Sequence, residues 1–393
     1  MRRKLFFAAM LFIAGAFMFN VNAQTWQSST LTDGGKYLFQ NIGSGRYLGP
    51  SNSWGTQASL IEPSHYNTVH KVNDGVYTIE SQVTNGGTNY FFNGSYMDNG
   101  DAKHLAIKDD GNGVFTIDDE SGNYFGFDGN STVLAGNLTD PTSPNAQWRI
   151  ISVDDALEGA TPENPVDASF LILCQNFDRN HRYSGAWSMD AGNQNLSGGT
   201  DGNRCAESWR STFTLSQTIT LPNGLYQVRA QAALTDYDNV GTDFPVVYAG
   251  DVTTPFNLMM NGENSMSQMS DQFAAGNYFT EWSESAIVVD GQLTVGVRCT
   301  RNNTWSIWDN IQLRYLGPIQ DLTPFINVYE AALATAQEKT SITDKMAAWV
   351  KTNLNTVLST YAKGNVDETS QEELENATAA LKAAAELVDK SVA

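Results

Sequence analysis

Three stretches in the first part of the chain share one alternation. Gly35-Lys36-Tyr37-Leu38-Phe39, Gly75-Val76-Tyr77-Thr78-Ile79 and Gly113-Val114-Phe115-Thr116-Ile117 each set an aromatic residue two positions before a second apolar one. A period of two marks a half-buried strand. The aromatics recur 40 and then 38 residues apart. A further aromatic strand follows each stretch, at Tyr47-Leu48, Tyr90-Phe91-Phe92 and Tyr124-Phe125, and Trp148-Arg149-Ile150 closes the segment. Three units of similar length are too few to ring a propeller but enough for a threefold barrel with a hairpin cap. Recurrence places Tyr47, Tyr90 and Tyr124 in its core.

The middle of the chain alternates as well. Phe213 to Ile219, Tyr226 to Ala230, Leu293 to Val297 and Ile311 to Tyr315 all read as strands, with Leu221-Pro222-Asn223-Gly224 as a turn. Many strands and no helical period predict a two-sheet sandwich. The pattern then changes. Leu322, Phe325, Ile326, Tyr329 and Leu333 recur at helical spacing, followed by Met346, Val350, Leu354 and Val357, and by Leu374, Ala377, Leu381, Ala384 and Val388. Thr323-Pro324 reads as a cap with proline in the first turn, and Ser370-x-x-Glu373 as a capping box. Three amphipathic helices with short connections predict a three-helix bundle.

Composition agrees with these divisions. From Gln320 the cations are all Lys, and the last 74 residues hold 14 Ala and one Gly, against 31 Gly between Gln24 and Ile319. Asp154 to Pro165 reads as a linker. Arg2-Arg3-Lys4, the apolar run Leu5 to Phe19, and small residues at Val21 and Ala23 form a secretory leader cleaved after Ala23. The expected organisation is a signal peptide over 1–23, a β-trefoil-like domain over 24–153, a linker over 154–167, a jelly-roll domain over 168–317 and a helical bundle over 320–393. The fold class is therefore multi-domain and mainly β. No second apolar stretch reaches membrane length. Export puts the mature protein in the periplasm, on the cell surface or outside the cell. Cys174, Cys205 and Cys299 allow one disulfide with one thiol left over, or three buried hydrophobes.

Aromatic residues make up 11% of the chain, which excludes disorder. The formal charge is −20, which repels phosphate backbones and excludes nucleic acid as a partner. Four His, no HExxH, no GxSxG elbow and no dinucleotide fingerprint give no catalytic motif. Paired carboxylates for glycan cleavage remain open, since they pair in space.

The first segment, through its repeats and the Ala146-Gln147-Trp148-Arg149-Ile150 run, resembles the ricin-type β-trefoil family over about 25–152. The middle segment carries Asn176-Phe177-Asp178, Gly185-Ala186-Trp187, Ala206-Glu207-Ser208-Trp209, the Leu221 to Tyr226 turn and Trp308-Asp309-Asn310-Ile311-Gln312-Leu313, in that order. That order resembles the galactose-binding-like jelly rolls of secreted bacterial glycan-processing proteins, over about 168–316. The tail, through Ala377 to Ala384, resembles FIVAR-type helical modules. The jelly-roll resemblance implies a structural Ca²⁺ held by Asp178 and Asp309. A hydrogen-bonded strand-end aspartate is the other reading of Asp309. The acidic run Asp236-Tyr237-Asp238 lacks EF-hand spacing and reads as a solvated loop.

Aromatic rings beside amide and acid oxygens suit saccharides, whose C–H faces stack on rings while hydroxyls find polar partners. On a regular strand, Trp305, Ile307, Asp309, Ile311 and Leu313 share the core side. Trp308, Asn310 and Gln312 then point away, so Trp308 either meets a ligand or is covered by a loop. Trp187 and Trp209 read as core. Tyr278 and Trp282 sit in an aromatic loop run and complete the ligand set Trp308, Trp282, Tyr278 and Asn310. These readings predict a secreted, non-catalytic protein of a Gram-negative bacterium that binds polysaccharide or glycoconjugate glycans. The alternatives are an adhesion or scaffold protein that holds a protein partner through the helical tail, and a glycan-cleaving enzyme.

Overall fold

The computed structural model describes residues 30–51, 55–63, 65–81, 83, 90–178, 186–190, 194–200, 202–319, 321–342, 345–368 and 370–392. The leader, its cleavage point after Ala23, and Gly185 of the Gly185-Ala186-Trp187 motif lie outside them. The chain is mainly β, with several sheets and five α-helices.

The alternating stretches of the first segment become strands. They are β1 (Lys36–Asn41), β2 (Tyr47–Ser51), β3 (Gln57–Ile61), β4 (Asn67–Asn73), β5 (Val76–Glu80), β6 (Leu105–Asp109), β7 (Phe115–Asp118), β8 (Tyr124–Gly126), β9 (Ala135–Leu138) and β10 (Gln147–Ser152). Strand β10 pairs with both β1 and β7, which closes β1, β4, β5, β6, β7 and β10 into a six-stranded barrel. Phe39, Ile79 and Ile117, equivalent positions of the three repeats, are buried in one core with Trp148 and Ile150. Trp148 donates Nε1–H to the Phe125 carbonyl at 2.9 Å, so its polar edge is satisfied inside the barrel. The repeated tyrosines differ from expectation. Tyr47, Tyr90 and Tyr124 are half-buried, and the core position falls later in each unit, at Leu48, Phe92 and Phe125. Around Tyr90 the chain makes only isolated bridges, not a strand.

The stretch read as a linker is packed. Helix α1 (Val153–Leu157) begins at the Ser152 cap, and Val153, Ala156, Leu157 and Ala160 are buried in a core that also holds Leu38 and Ile151 of the barrel. Beyond it come β11 (Val166–Asp167), β12 (Ser188–Met189), β13 (Gln194–Thr200), β14 (Asn203–Trp209), β15 (Phe213–Thr220), β16 (Gly224–Asp236), β17 (Val246–Ala249), β18 (Val252–Pro255), β19 (Ala286–Val288), β20 (Gln292–Cys299) and β21 (Thr304–Tyr315). One sheet runs β13-β14-β21-β16-β19, with β11 on β21; the other runs β12-β15-β20-β17-β18. Leu215, Val295 and Val297 of the second sheet share a core with Val228, Ala230 and Leu313 of the first. A helix absent from the sequence reading, α2 (Met266–Ala274), is capped by Ser265 and lays Met269 and Phe273 against Cys205, Trp305 and Ile307 on the outer face of the first sheet. The three cysteines are buried and no disulfide joins them, so the disulfide reading gives way to the hydrophobic one.

The tail forms α3 (Thr323–Lys339), α4 (Ala348–Thr360) and α5 (Gln371–Val392). Their apolar stripes meet in one core, from Phe325 and Tyr329 through Val350 and Leu354 to Leu381 and Val388. Leu322, not Thr323, is the first cap residue, and Asp321 accepts the Thr323 N–H at 3.0 Å. Leu225 and Val289 pack against this core, and Asn223 donates to Glu375 at 2.9 Å, so the tail docks on the edge beside β19.

Close approach fixes one glycine. A Cβ on Gly126 would stand 1.9 Å from the Asn145 carbonyl oxygen. Gly126→Ala is therefore expected to cost about 2 kcal/mol or more by forcing β8 away from that carbonyl, read as a lower urea midpoint in equilibrium unfolding.

Candidate functional site

Strand β21 organises the candidate residues, and a bulge decides which way they point. Gln231 pairs with Asp309 and Arg229 with Gln312, so Asn310 and Ile311 together face a single residue of β16. Asn310 takes a φ of 44°, in the left-handed region that Asn tolerates better than most residues. Alternation restarts there. Trp308 consequently shares the inner core with Ile311 and Leu313 and is 0% exposed. It stacks on Phe213 at 5.2 Å and meets Phe177 edge-on at 6.4 Å, while Phe177 stacks on Trp187. The expectation that Trp308 points away from the core is thus corrected: it rested on a regular strand, and the bulge breaks the regularity. Its buried Nε1–H has no hydrogen-bond partner among the described residues.

The other expected ligand residues take separate positions. Asn310 is half-buried and donates its amide to Gln231, whose own Nε2 holds the Phe273 and Asn277 carbonyls. It ties α2 to the sheet. Tyr278, half-buried at a φ of 64°, packs against Phe273 and donates to Glu263 at 3.1 Å. Trp282 is half-buried elsewhere on the outer face, with the Arg229 and Arg314 guanidinium carbons 4.5 and 4.3 Å from its ring centroid. The four residues do not form one surface.

The aromatic surface that is open lies at the end of β14, in a residue read as core. Trp209 is 49% exposed and Tyr237 37%. Their rings are nearly parallel, 25° apart with centroids 6.5 Å apart, and Trp305 tilts against Trp209 at 6.5 Å. Register explains the grouping, because Trp209 pairs with Trp305 and Trp305 with Thr235, two residues before Tyr237. Polar groups edge the rings. Trp305 donates to Glu207 at 2.7 Å, and the Arg210 guanidinium carbon lies 4.3 Å from the Tyr237 centroid. The acidic run is not simply solvated: Asp236 is buried and paired with Arg301 at 2.7 Å, and Asn303 donates to Asp238. The Arg301 hydrogen bond holds the Asp236 carboxyl below the usual carboxylate range. In the sequence Trp209 closes the Ala206-Glu207-Ser208-Trp209 motif, with nothing beside it to mark it as open. Its exposure follows from its position past the last covering residue of α2, which no local pattern reveals.

Asp178 lies near enough to Asp309 for its charge to act on that carboxyl. Asp309 is 2% exposed, and burial pushes its carboxyl well above the ordinary range, with the Asp178 charge adding to the rise. Among the described residues its oxygens accept from Asn310, at 2.8 Å from the backbone and 3.4 Å from the side chain. Asp178 accepts from Asn176 and from the Arg204 N–H. Burial also raises the Cys205 thiol, and both carboxylates contribute. Carboxylates are the donors a hard, oxygen-seeking cation takes, but among the described residues no group of three or more His, Cys, Asp or Glu is gathered to hold a metal.

No protein-family model and no curated protein matches the chain. Solved structures that it is similar to include a Macrolepiota procera ricin B-like lectin in complex with lactose, at 12% identity and a TM-score of 0.26, covering 31% of this chain and 99% of its own. A salivary protein from Culex quiquefasciatus, of the Cysteine and Tryptophan-Rich family, is 17% identical with a TM-score of 0.24, over 32% and 97%. TmCBM61 in complex with β-1,4-galactotriose is 18% identical with a TM-score of 0.20, over 35% and 97%.

The core placement of Trp308 has a measurable consequence. Trp308→Ala is expected to destabilise the protein by about 3–5 kcal/mol through the cavity left between Phe177 and Phe213, seen as a large drop in the denaturant midpoint. A near-unchanged midpoint would contradict the burial.

Proposed function

We propose that this chain is a secreted, non-catalytic glycan-binding protein whose saccharide contact is the Trp209–Tyr237 surface. The single observation that carries the reading is the pair of open, nearly parallel rings bordered by Arg210 and Glu207. Flat rings take the C–H face of a sugar at little entropic cost, and the bordering guanidinium and carboxylate suit its hydroxyls. A six-stranded barrel carrying three repeats supports a β-trefoil as the first domain, two facing sheets support a jelly roll as the second, and the shared core of α3, α4 and α5 supports a three-helix bundle as the third. The leader pattern supports export and cleavage after Ala23.

The test is glycan-array binding followed by affinity electrophoresis. Trp209→Ala, at an exposed position, is expected to fold normally and to weaken binding about tenfold or more. Retention of full affinity would place the contact elsewhere, and a folded wild type that binds no glycan would remove the reading.

Asp178 and Asp309 are the proposed holders of a structural Ca²⁺, with backbone carbonyls as further ligands. The ion would neutralise the buried Asp309 and half-buried Asp178 carboxylates and tie Asn176-Phe177-Asp178 to β21. In chelator, Asp309→Asn is expected to melt at or above the wild type, because it removes a carboxyl whose ionisation burial opposes. Millimolar Ca²⁺ should raise the melting temperature of the wild type and leave the variant unmoved. An equal response of both, or none in the wild type, argues for the hydrogen-bonded strand-end aspartate instead.

The adhesion reading has one point in its favour, the exposed indole of Trp349 on α4. It is a single ring followed by exposed Lys351, Thr352 and Asn353, which is less than a docking patch.

A further inference from the structure

The outer face of the six-stranded sheet carries two arginines and two glutamines in a checkerboard. Gln227 and Arg229 lie two apart on β16, Gln312 and Arg314 two apart on β21, and the register sets Arg229 opposite Gln312 and Gln227 opposite Arg314. Arg229 donates Nε–H to Gln312 Oε1 at 2.8 Å. Arg314 donates Nε–H and Nη2–H to Gln227 Oε1, at 2.8 and 2.6 Å. Each guanidinium is therefore oriented by a neutral carbonyl, which fixes the fork, while the carboxylates that act on Arg229, those of Asp167 and Glu281, do so from beyond ion-pair distance.

That choice stands out against the chain as a whole. Acidic residues number 43 and Lys and Arg together 23, yet among the described residues no carboxylate lies within the 4.0 Å ion-pair distance of Arg229 or Arg314. Glutamate at 227 or 312 would have nearly the shape of glutamine and would pair with the arginine it faces. Both guanidiniums instead crowd one indole, Trp282, where burial strips water from each and the Arg314 charge acts on Arg229. Like charges held together and partly desolvated favour an anion supplied from outside.

A 290 Å³ cavity opens on this group, lined by Pro165, Asp167, Arg229, Trp282, Gln312 and Arg314. The Nη groups of Arg229 and Nη1 of Arg314 remain as donors, in a geometry that suits a carboxylate or sulfate. Asp167 opposes a bare anion, but its Oδ1 already accepts from Ser169 N–H and Oγ–H, and as a lining residue its carboxylate suits a ligand hydroxyl. A ligand that carries an oxyanion and hydroxyls on one small ring meets both demands. Inorganic anions and peptide carboxylates meet only the first.

We propose that the pocket of Arg229, Trp282 and Arg314 binds the charged group of an acidic saccharide, a uronate carboxylate or a sulfate ester. The inference rests on the glycan-binding reading and adds the class of sugar and a second contact apart from Trp209. The mature chain would be titrated calorimetrically with oligogalacturonate, with a sulfated galactan oligosaccharide and with a neutral galactan oligosaccharide of equal length. At least one acidic ligand is expected to bind, more weakly as salt rises. Gln312→Glu gives Arg229 an internal partner, so it should lower that affinity about tenfold or more, hold or raise the melting temperature, and leave the neutral ligand unaffected. The first two ligands tell carboxylate from sulfate. Unchanged acidic binding in both Gln312→Glu and Arg314→Gln overturns the proposal. So does a neutral ligand that binds while neither acidic one does, and that result leaves the glycan reading standing. Binding of none of the three overturns the proposal as well, and the glycan array then decides separately whether the broader glycan reading stands.

Discussion

The bulge at Asn310 is the constraint on which the second unit turns. One extra residue in β21 resets the alternation of the longest pair of strands in the molecule, β16 with β21. Before it, Trp305 and Ile307 face α2 and Trp308 faces the inner core; after it, Ile311 and Leu313 take the inner face and Gln312 and Arg314 the outer. Without the reset, either Trp308 or the Ile311-Leu313 pair would be turned out of the core. Backbone strain at a single asparagine is offset by the full burial of the Trp308 indole. Asp309 is carried into a dry position by the same step, beside Asp178.

The outer face of that sheet is thereby divided. Helix α2 covers its centre with Met269 and Phe273. On one side of the helix the Trp209 and Tyr237 rings remain open, and on the other the arginine pair lies over Trp282. The two uncovered regions differ in chemistry: one offers flat apolar faces with mixed charges at the rim, the other concentrated positive charge. A long acidic polysaccharide with some neutral residues is the kind of ligand that could use both.

Much of this arrangement was legible in the sequence where the signal is local. The three aromatic repeats gave β1, β5 and β7, and the apolar stripes of the tail gave the buried faces of α3, α4 and α5. What escaped depends on contacts distant in the chain. The repeated tyrosines looked like core because recurrence does not say which of two neighbours turns inward. Trp308 was misplaced because a bulge is a property of two paired strands, and β16 and β21 are far apart in sequence. The Gln-x-Arg pattern is visible in each strand alone, but only their register shows that the arginines have neutral partners. Trp209 and Trp187 looked alike as residues; stacking on Phe177 buries one, and the end of α2 leaves the other bare.

The buried segment from Val153 to Ala160 has a consequence for how the molecule comes apart. Because Leu38 and Ile151 of the barrel share one apolar cluster with both sheets, neither unit can open without exposing the other's interior. Heat should dissolve these two as a single cooperative block, whereas the helical tail, held at a sheet edge by Leu225, Val289 and the Asn223–Glu375 contact, is free to melt in an event of its own.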